Sequence, residues 1–400
     1  MAGLSETPSS SRTRITFFGR RNAGKSSLLN ALAGQQVAIV SDVPGTTTDP
    51  VSKAMEILPL GPVLLTDTAG LDDDGALGAK RVEKTLSALS VADIAVLCVA
   101  ADSLPLSPAE TRLAAEAKSR SVRVVLAVTK CDLRGCPAIP PGAFDAAIAV
   151  SSKTREGVPA LLDVLAKMAP AETPPPLVAD IVGKGDFVVC VCPIDSAAPK
   201  GRLILPQQQV IRELLDSGAV AAVCRETELA DFLARPGCPR PKFVVTDSQA
   251  FAAVDAALPR DIPLTSFSIL FARAKGDLEQ FTRGAAAIDS LKDGDIVLIC
   301  EGCTHRRQCG DIGTVKLPRW LEKRSGAKLR FEWTSGADFP ADLSRYALVV
   351  HCGGCMLPRR EVLNRLAKAS AQNIPAANYG VAIAHVHGID ADASTRMVKR

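Results

Sequence analysis

Aromatic side chains are scarce, at 4% of the 400 residues. Cores in this chain must therefore be filled by Val, Leu, Ile and Ala. Charge of one sign is also in short supply. A formal net charge of +4 is mild for this length, and no dense basic stripe stands out. That argues against a nucleic-acid partner, whose binders carry such a footprint. No apolar run is long enough to span a bilayer, so no membrane partner is expected. Residues 1–12 are Ser-rich and polar, without the apolar stretch of a signal peptide, and a cytoplasmic location is the expectation. What is present reads as ordinary globular protein, 47% apolar and 22% charged, long enough for two or three domains. The 12 cysteines, in a cytosolic chain, point to burial, catalysis or metal binding rather than to disulfides.

Residues 1–170 alternate buried-strand patterns with amphipathic helical patterns. The runs Ile15–Phe18, Val63–Thr66, Ile94–Val99, Val122–Val128 and Ala147–Val150 read as strands, which implies an α/β domain with a mostly parallel sheet. The Pro-rich stretch from Pro170 to Pro176 breaks the pattern and reads as a stiff linker. A middle segment, 177–262, holds strand patterns at Asp186–Cys192 and Phe243–Thr246 and an amphipathic helix at Gln207–Ser217. A last segment, 263–400, alternates again, with strands expected at Ile296–Ile299, Lys328–Trp333, Ala347–Val350 and Ala376–Tyr379.

The strand Ile15–Phe18 runs into Gly19-Arg-Arg-Asn-Ala-Gly24-Lys25-Ser26, and an amphipathic helix follows. Glycines at this spacing let backbone N–H groups wrap a phosphate chain, and the helix N-terminus adds partial positive charge. Gly19, Asn22, Ala23, Gly24, Lys25, Ser26 and Ser27 form the expected phosphate cradle, with Lys25 on the β- and γ-phosphates and Ser26 on Mg²⁺. Further pieces follow in order. Thr47, within Pro44-Gly-Thr-Thr-Thr-Asp49, is expected to close over Mg²⁺ and the γ-phosphate. Asp67-Thr-Ala-Gly70 ends a strand, with Asp67 placed for Mg²⁺ and the Gly70 N–H for the γ-phosphate. Lys25, Thr47, Asp67 and Gly70 are thus the catalytic candidates. Thr129-Lys130-Cys131-Asp132 places a carboxylate to accept two hydrogen bonds from a guanine edge, and Ser151-Ser152-Lys153 supports the base from its other side. These residues resemble the TrmE–Era–EngA type of GTPase. The resemblance implies GTP and Mg²⁺ as ligands, GTP hydrolysis, and Asn22 as a K⁺ ligand whose ion would stimulate that hydrolysis. Asn22 bracing the loop by hydrogen bonding is the alternative. Leu71 stands where many GTPases carry a water-orienting Gln, so slow intrinsic hydrolysis is expected.

A second constellation lies near the other end. Cys303-Thr-His305 follows one expected strand, and His351-Cys352-Gly-Gly-Cys355 follows another. Neighbouring parallel strands would bring both loops to one sheet edge. By spacing alone, the set suits either a closed tetrahedral zinc site or an iron–sulfur cluster. The layout as a whole, together with Pro193-Ile-Asp195 and the run Ala198–Gln207, resembles the HydF family of FeFe-hydrogenase maturation GTPases. That resemblance implies a P-loop GTPase domain (1–170), a middle dimerisation domain (177–262) and a C-terminal α/β metal-cluster domain (263–400). It further implies a 4Fe-4S cluster on Cys303, Cys352 and Cys355, with His305 and His351 as a labile fourth ligand or as neighbours of the ligands. Radical-SAM hydrogenase maturases, apo FeFe-hydrogenase and a second copy of the chain would be the partners. The protein would act as scaffold and carrier of a diiron precursor. Asp195 is a remoter candidate for the open iron, with turn capping as its other role. The competing class is a ribosome- or RNA-associated GTPase with structural zinc.

The remaining candidates read as structural. Cys98, Cys190 and Cys192 sit in apolar strands, and His385 and His387 are spaced too closely to share a helix face. Cys300 and Cys309 flank the metal motif; either could serve as a spare ligand, and a role beside the ligands or in packing is the expectation.

Overall fold

The computed structural model describes residues 9–34, 51–58, 60–71, 85–134, 142, 144–169, 175–194, 203–302, 312–336 and 338–389. The chain divides into two compact units, Met1–Thr173 and Pro174–Arg400.

The first unit is built on a six-stranded sheet. Its strands are β1 (Thr13–Phe18), β2 (Val51–Ile57), β3 (Gly61–Asp67), β4 (Ile94–Ala100), β5 (Arg123–Thr129) and β6 (Ala146–Ala149), in the order β2-β3-β1-β4-β5-β6. Only β2 is antiparallel, against β3 at the edge. Helices cover the sheet, and both faces are apolar, as parallel sheets require. Ile15, Phe17, Val96, Cys98 and Val125 pack into one core, while Phe18, Leu97, Val99, Val124 and Leu126 pack into the other. Successive residues of one strand thus serve opposite cores, the period of two that a pleated strand imposes.

The second unit carries two four-stranded sheets. Strands β7 (Phe187–Val191), β8 (Val220–Cys224), β9 (Phe243–Thr246) and β10 (Leu264–Ser266) are ordered β10-β9-β7-β8. Strands β11 (Ile296–Glu301), β12 (Arg330–Ser335), β13 (Leu348–His351) and β14 (Ala376–Asn378) are ordered β12-β11-β13-β14. Every pairing in both sheets is parallel. The break expected at 262 falls inside the first of these sheets, because β10 lies beyond it and pairs with β9. A single hydrophobic core runs through both sheets, from Leu177 to Ala384.

All three sheets reverse direction in the same way. In each, the chain leaves a strand (β1, β7 or β11), adds its next parallel strand on one side, and then crosses to the other side of the first. The crevice at the carboxyl end of that first strand is where such sheets bind ligands. For β1 it opens onto Gly19. For β11 it opens onto Gly302, the residue before Cys303.

Candidate functional sites

At the end of β1 the backbone turns sharply. Gly19 has φ +145°, and a β-carbon there would lie 2.2 Å from the Cys98 carbonyl oxygen of β4, so only glycine fits. Gly24, at φ +83°, leads into the helix Lys25–Ala33. Lys25 is buried and arches back over the loop, its Nζ donating to the carbonyls of Gly19 at 2.9 Å and Arg20 at 2.7 Å. Asn22 is exposed and takes a left-handed backbone at φ 57°, a region that asparagine tolerates. Ser26 Oγ donates to Asp67 Oδ2 at 2.5 Å. The other carboxylate oxygen, Oδ1, is buried without a hydrogen-bond partner among the described residues. Burial raises the Asp67 carboxyl above its usual range, against the pull of the Ser26 hydrogen bond and the Lys25 charge. An orphaned carboxylate oxygen beside a hydroxyl is a hard-oxygen pair suited to a divalent cation, so these residues fit Mg²⁺. Thr47 and the rest of 35–50 lie outside the described residues.

The segment after β3 folds down onto the phosphate loop. Thr68 Oγ1 donates to the Phe17 carbonyl at 2.7 Å, and Leu71 N donates to Gly19 O at 3.3 Å. Gly70 passes so close that a β-carbon would lie 2.5 Å from Arg21 Cγ. On the base side, Thr129 Oγ1 donates to the Ala23 carbonyl at 2.7 Å, tying the base-reading strand end to the phosphate loop. Lys130 follows in left-handed backbone at φ 59°. Ser151 Oγ donates to Asp132 Oδ1 at 2.7 Å, and the Thr154 N–H caps Ser151 Oγ at 3.1 Å. Ser152 and Lys153 occupy the turn between them. One participant escaped the sequence reading. Arg20 reaches the fully buried Glu110 at 3.0 Å and the Ser103 carbonyl at 2.7 Å. The capping pattern Ser107-Pro-Ala-Glu110 was its visible signal.

The second site begins where β11 and β13 end side by side. Cys300 stands opposite His351, and His351 opposite Asn378 of β14. The Cys352 sulfur accepts the Gly302 N–H at 3.0 Å and the Gly354 N–H at 3.4 Å. Burial raises the Cys352 thiol's pKa and pushes that of Cys355 up to about 11, while backbone N–H groups pull both back. Half-buried cysteines, one of them taking two backbone N–H donors, suit a bound metal, which supplies the positive charge that deprotonation requires. The donor chemistry of Cys352 and Cys355 therefore fits an iron–sulfur cluster. Cys303 and His305 lie outside the described residues, and among the described residues no group of three His, Cys, Asp or Glu side chains is placed to hold a metal ion.

His351 is buried with both ring nitrogens engaged. Nδ1 meets the Cys352 carbonyl at 2.8 Å, and Nε2 meets Arg365 at 3.3 Å. Arginine can only donate, so Nε2 accepts and Nδ1–H donates. Burial, and next the Arg365 charge, hold the imidazole near 4 and hence neutral. Arg365 is itself buried, donating to Glu361 at 2.8 Å and to the Gly336 carbonyl at 2.6 Å. Asn378 Nδ2 gives the Cys352 carbonyl a second donor at 3.3 Å. In this arrangement His351 braces the loop. Cys98, Cys190, Cys192 and Cys300 are buried in the cores, His385 pairs with Asp289 at 2.9 Å, and His387 packs edge-on against Trp320. Asp195 and Cys309 fall outside the described residues.

Fold and first site together define a P-loop GTPase domain followed by a doubly sheeted α/β unit with a cysteine loop. Comparison with known families agrees segment by segment. Residues 14–130 match the 50S ribosome-binding GTPase model, 177–276 the hydrogen maturase F dimerization domain, and 279–395 the hydrogen maturase F tetramerization domain. The chain belongs to the hydrogen maturase F (HydF) family. Over its GTPase part it is similar to the tRNA modification GTPase MnmE of Acidiphilium cryptum, 39% identical over 41% of this chain and 34% of that protein. It is also similar to the GTPase Der of Wolinella succinogenes, 40% identical over 33% of this chain and 28% of that one. The chain thus spans about a third of the length of these curated relatives. Among solved structures, Aquifex aeolicus Era bound to GDP.AlF4- aligns at 19% identity with a TM-score of 0.36, covering 54% of this chain and 93% of that one. No described helix is long and apolar enough to cross a membrane.

Proposed function

We propose that this chain is a GTP-hydrolysing maturation factor that carries a 4Fe-4S cluster on Cys303, Cys352 and Cys355 and uses it as a scaffold for the diiron precursor of an FeFe-hydrogenase. One observation carries the reading. Gly302, to which Cys303 is joined, donates its backbone N–H to the Cys352 sulfur at 3.0 Å. Neighbouring Cα atoms lie about 3.8 Å apart across a trans peptide. The two halves of the cysteine motif therefore start from the same point of one sheet edge. When bound, the cluster supplies one iron whose remaining position is open to exchange, suited to temporary carriage of a two-iron cargo. The chain's own residues do the rest. Cys352 keeps its sulfur aimed by two glycine N–H groups, and His351 and Asn378 fix its carbonyl.

In the GTPase domain, Ser26, Asp67 and Thr47 would hold Mg²⁺, which would neutralise charge on the phosphates, and Lys25 would exchange its contacts with the Gly19 and Arg20 carbonyls for the β- and γ-phosphates. Water then takes the γ-phosphoryl group, leaving GDP. Asn22 would be a ligand of a K⁺ ion, which would supply positive charge beside the phosphates. The nucleotide state switches contact with partners rather than performing iron chemistry. Self-association through the matched dimerization and tetramerization segments, delivery between radical-SAM maturases and the apo-hydrogenase, and a cytoplasmic location belong to the same proposal. The test separates the sites. Cys352→Ser and Cys355→Ser should each abolish the iron–sulfur absorption and EPR signals while GTP turnover stays at the parent rate. Retention of the cluster in either variant would refute the ligand assignment, and collapse of turnover in both would refute the separation.

A further inference from the structure

The loop that bears Cys352 and Cys355 rests on a lysine that the cysteine motif does not include. Lys275 is the last residue of the helix Phe267–Lys275, at the end of the stretch matched by the dimerization model. Its Nζ lies 3.1 Å from the Gly354 carbonyl oxygen, 3.0 Å from that of Cys355 and 2.7 Å from that of Leu357. An ammonium carries three protons, and three carbonyls converge on it. The contact is returned from the loop's other end, where Arg359 Nε donates to the Ala274 carbonyl at 3.2 Å.

The consequence follows from peptide geometry. In a planar trans peptide the C=O and the following N–H point in opposite directions. Drawing the Gly354 and Cys355 carbonyls toward Lys275 turns the N–H groups of Cys355 and Met356 the other way. We propose that Lys275 is a positioning residue for the sulfur ligands: by gathering the carbonyls of Gly354, Cys355 and Leu357 on one ammonium, it fixes the backbone of the loop and so locks the pair of cysteines for metal binding. This rests on the cluster reading above for its purpose, but not for its geometry. It also makes the dimerization segment a structural part of the cluster site.

The experiment compares Lys275→Met with Lys275→Arg, and uses Lys275→Gln in place of Met if that variant does not fold. In iron-free protein, amide hydrogen exchange of residues 353–357 should quicken at least about tenfold in the Met variant, since charge-assisted bonds are lost, and less in the Arg variant. After anaerobic reconstitution, removal of iron by a chelator should be about tenfold faster in Met than in the parent, the usual scale for losing a group behind a metal ligand. The reduction potential of the cluster should move negative, because N–H donors and positive charge near the sulfurs favour the reduced state. GTP turnover should not change. Exchange within twofold of the parent, or equal losses in Met and Arg, would overturn the proposal. If the parent itself takes up no iron, the cluster reading fails separately and the exchange measurement alone decides the role of Lys275.

Discussion

Replacing Thr129 with valine removes one hydroxyl and almost nothing else. The side chain keeps its shape and its β-branching at the end of β5. What is lost is the 2.7 Å hydrogen bond to the Ala23 carbonyl, between residues that are 1% and 4% exposed. Water cannot readily replace the donor there, so the Ala23 carbonyl is left buried and unsatisfied, at a cost of about 1–3 kcal/mol. That loss divides between two observables. The part felt without nucleotide lowers the stability of the GTPase domain, by roughly 2–4 °C in melting temperature per kcal/mol. The part recovered only when nucleotide re-orders the loop weakens binding, at about tenfold per 1.4 kcal/mol. Fluorescent GDP titration and calorimetry of Thr129→Val should together recover the full amount, while Thr129→Ser, which keeps the hydroxyl, should stay close to the parent. A Val variant unchanged in both melting and affinity would refute the claim that this bond joins the base-reading strand to the phosphate loop.

Asp132→Asn should exchange guanine for xanthine preference in nucleotide competition, since an amide can donate to the xanthine 2-oxygen where a carboxylate only accepts. Ser151→Ala should loosen that discrimination by freeing the carboxylate it holds at 2.7 Å, measured as a smaller ratio of GTP to ATP affinity. Replacing K⁺ with Na⁺ should slow GTP hydrolysis in the parent chain but not in Asn22→Ala, and an unchanged parent rate would retire Asn22 as a K⁺ ligand.

How much of this could be read in advance depended on the range of the interactions involved. The central strands of the first unit were legible because they are buried on both faces and read as continuous apolar runs, and the edge strand β6 was legible from its short apolar run although it is only half-buried. β2 escaped because it is an antiparallel edge strand whose run Val51-Ser-Lys-Ala-Met-Glu-Ile57 alternates only weakly. β8 escaped because Val220-Ala-Ala-Val-Cys224 is half exposed and short in side-chain bulk. β10 is three residues long and runs straight into the helix after it, so it left no strand signal of its own beyond 262. The phosphate and base motifs were legible because local backbone geometry demands particular residues, as at Gly19. Lys275 was not, because it binds backbone carbonyls 79 to 82 residues away, and backbone acceptors leave no mark on residue type. The engagement of both His351 nitrogens was hidden for a related reason, since Arg365 faces it from the helix Arg359–Ala371.

The most direct measurement is the metal and sulfide content of the chain purified without oxygen, set beside that of Cys303→Ser. The account predicts brown protein with about four iron and four acid-labile sulfide per chain, as a cubane cluster requires, and loss of both in the variant. Colourless protein with one zinc and no sulfide, or a Cys303→Ser chain that keeps its full cluster, would contradict it.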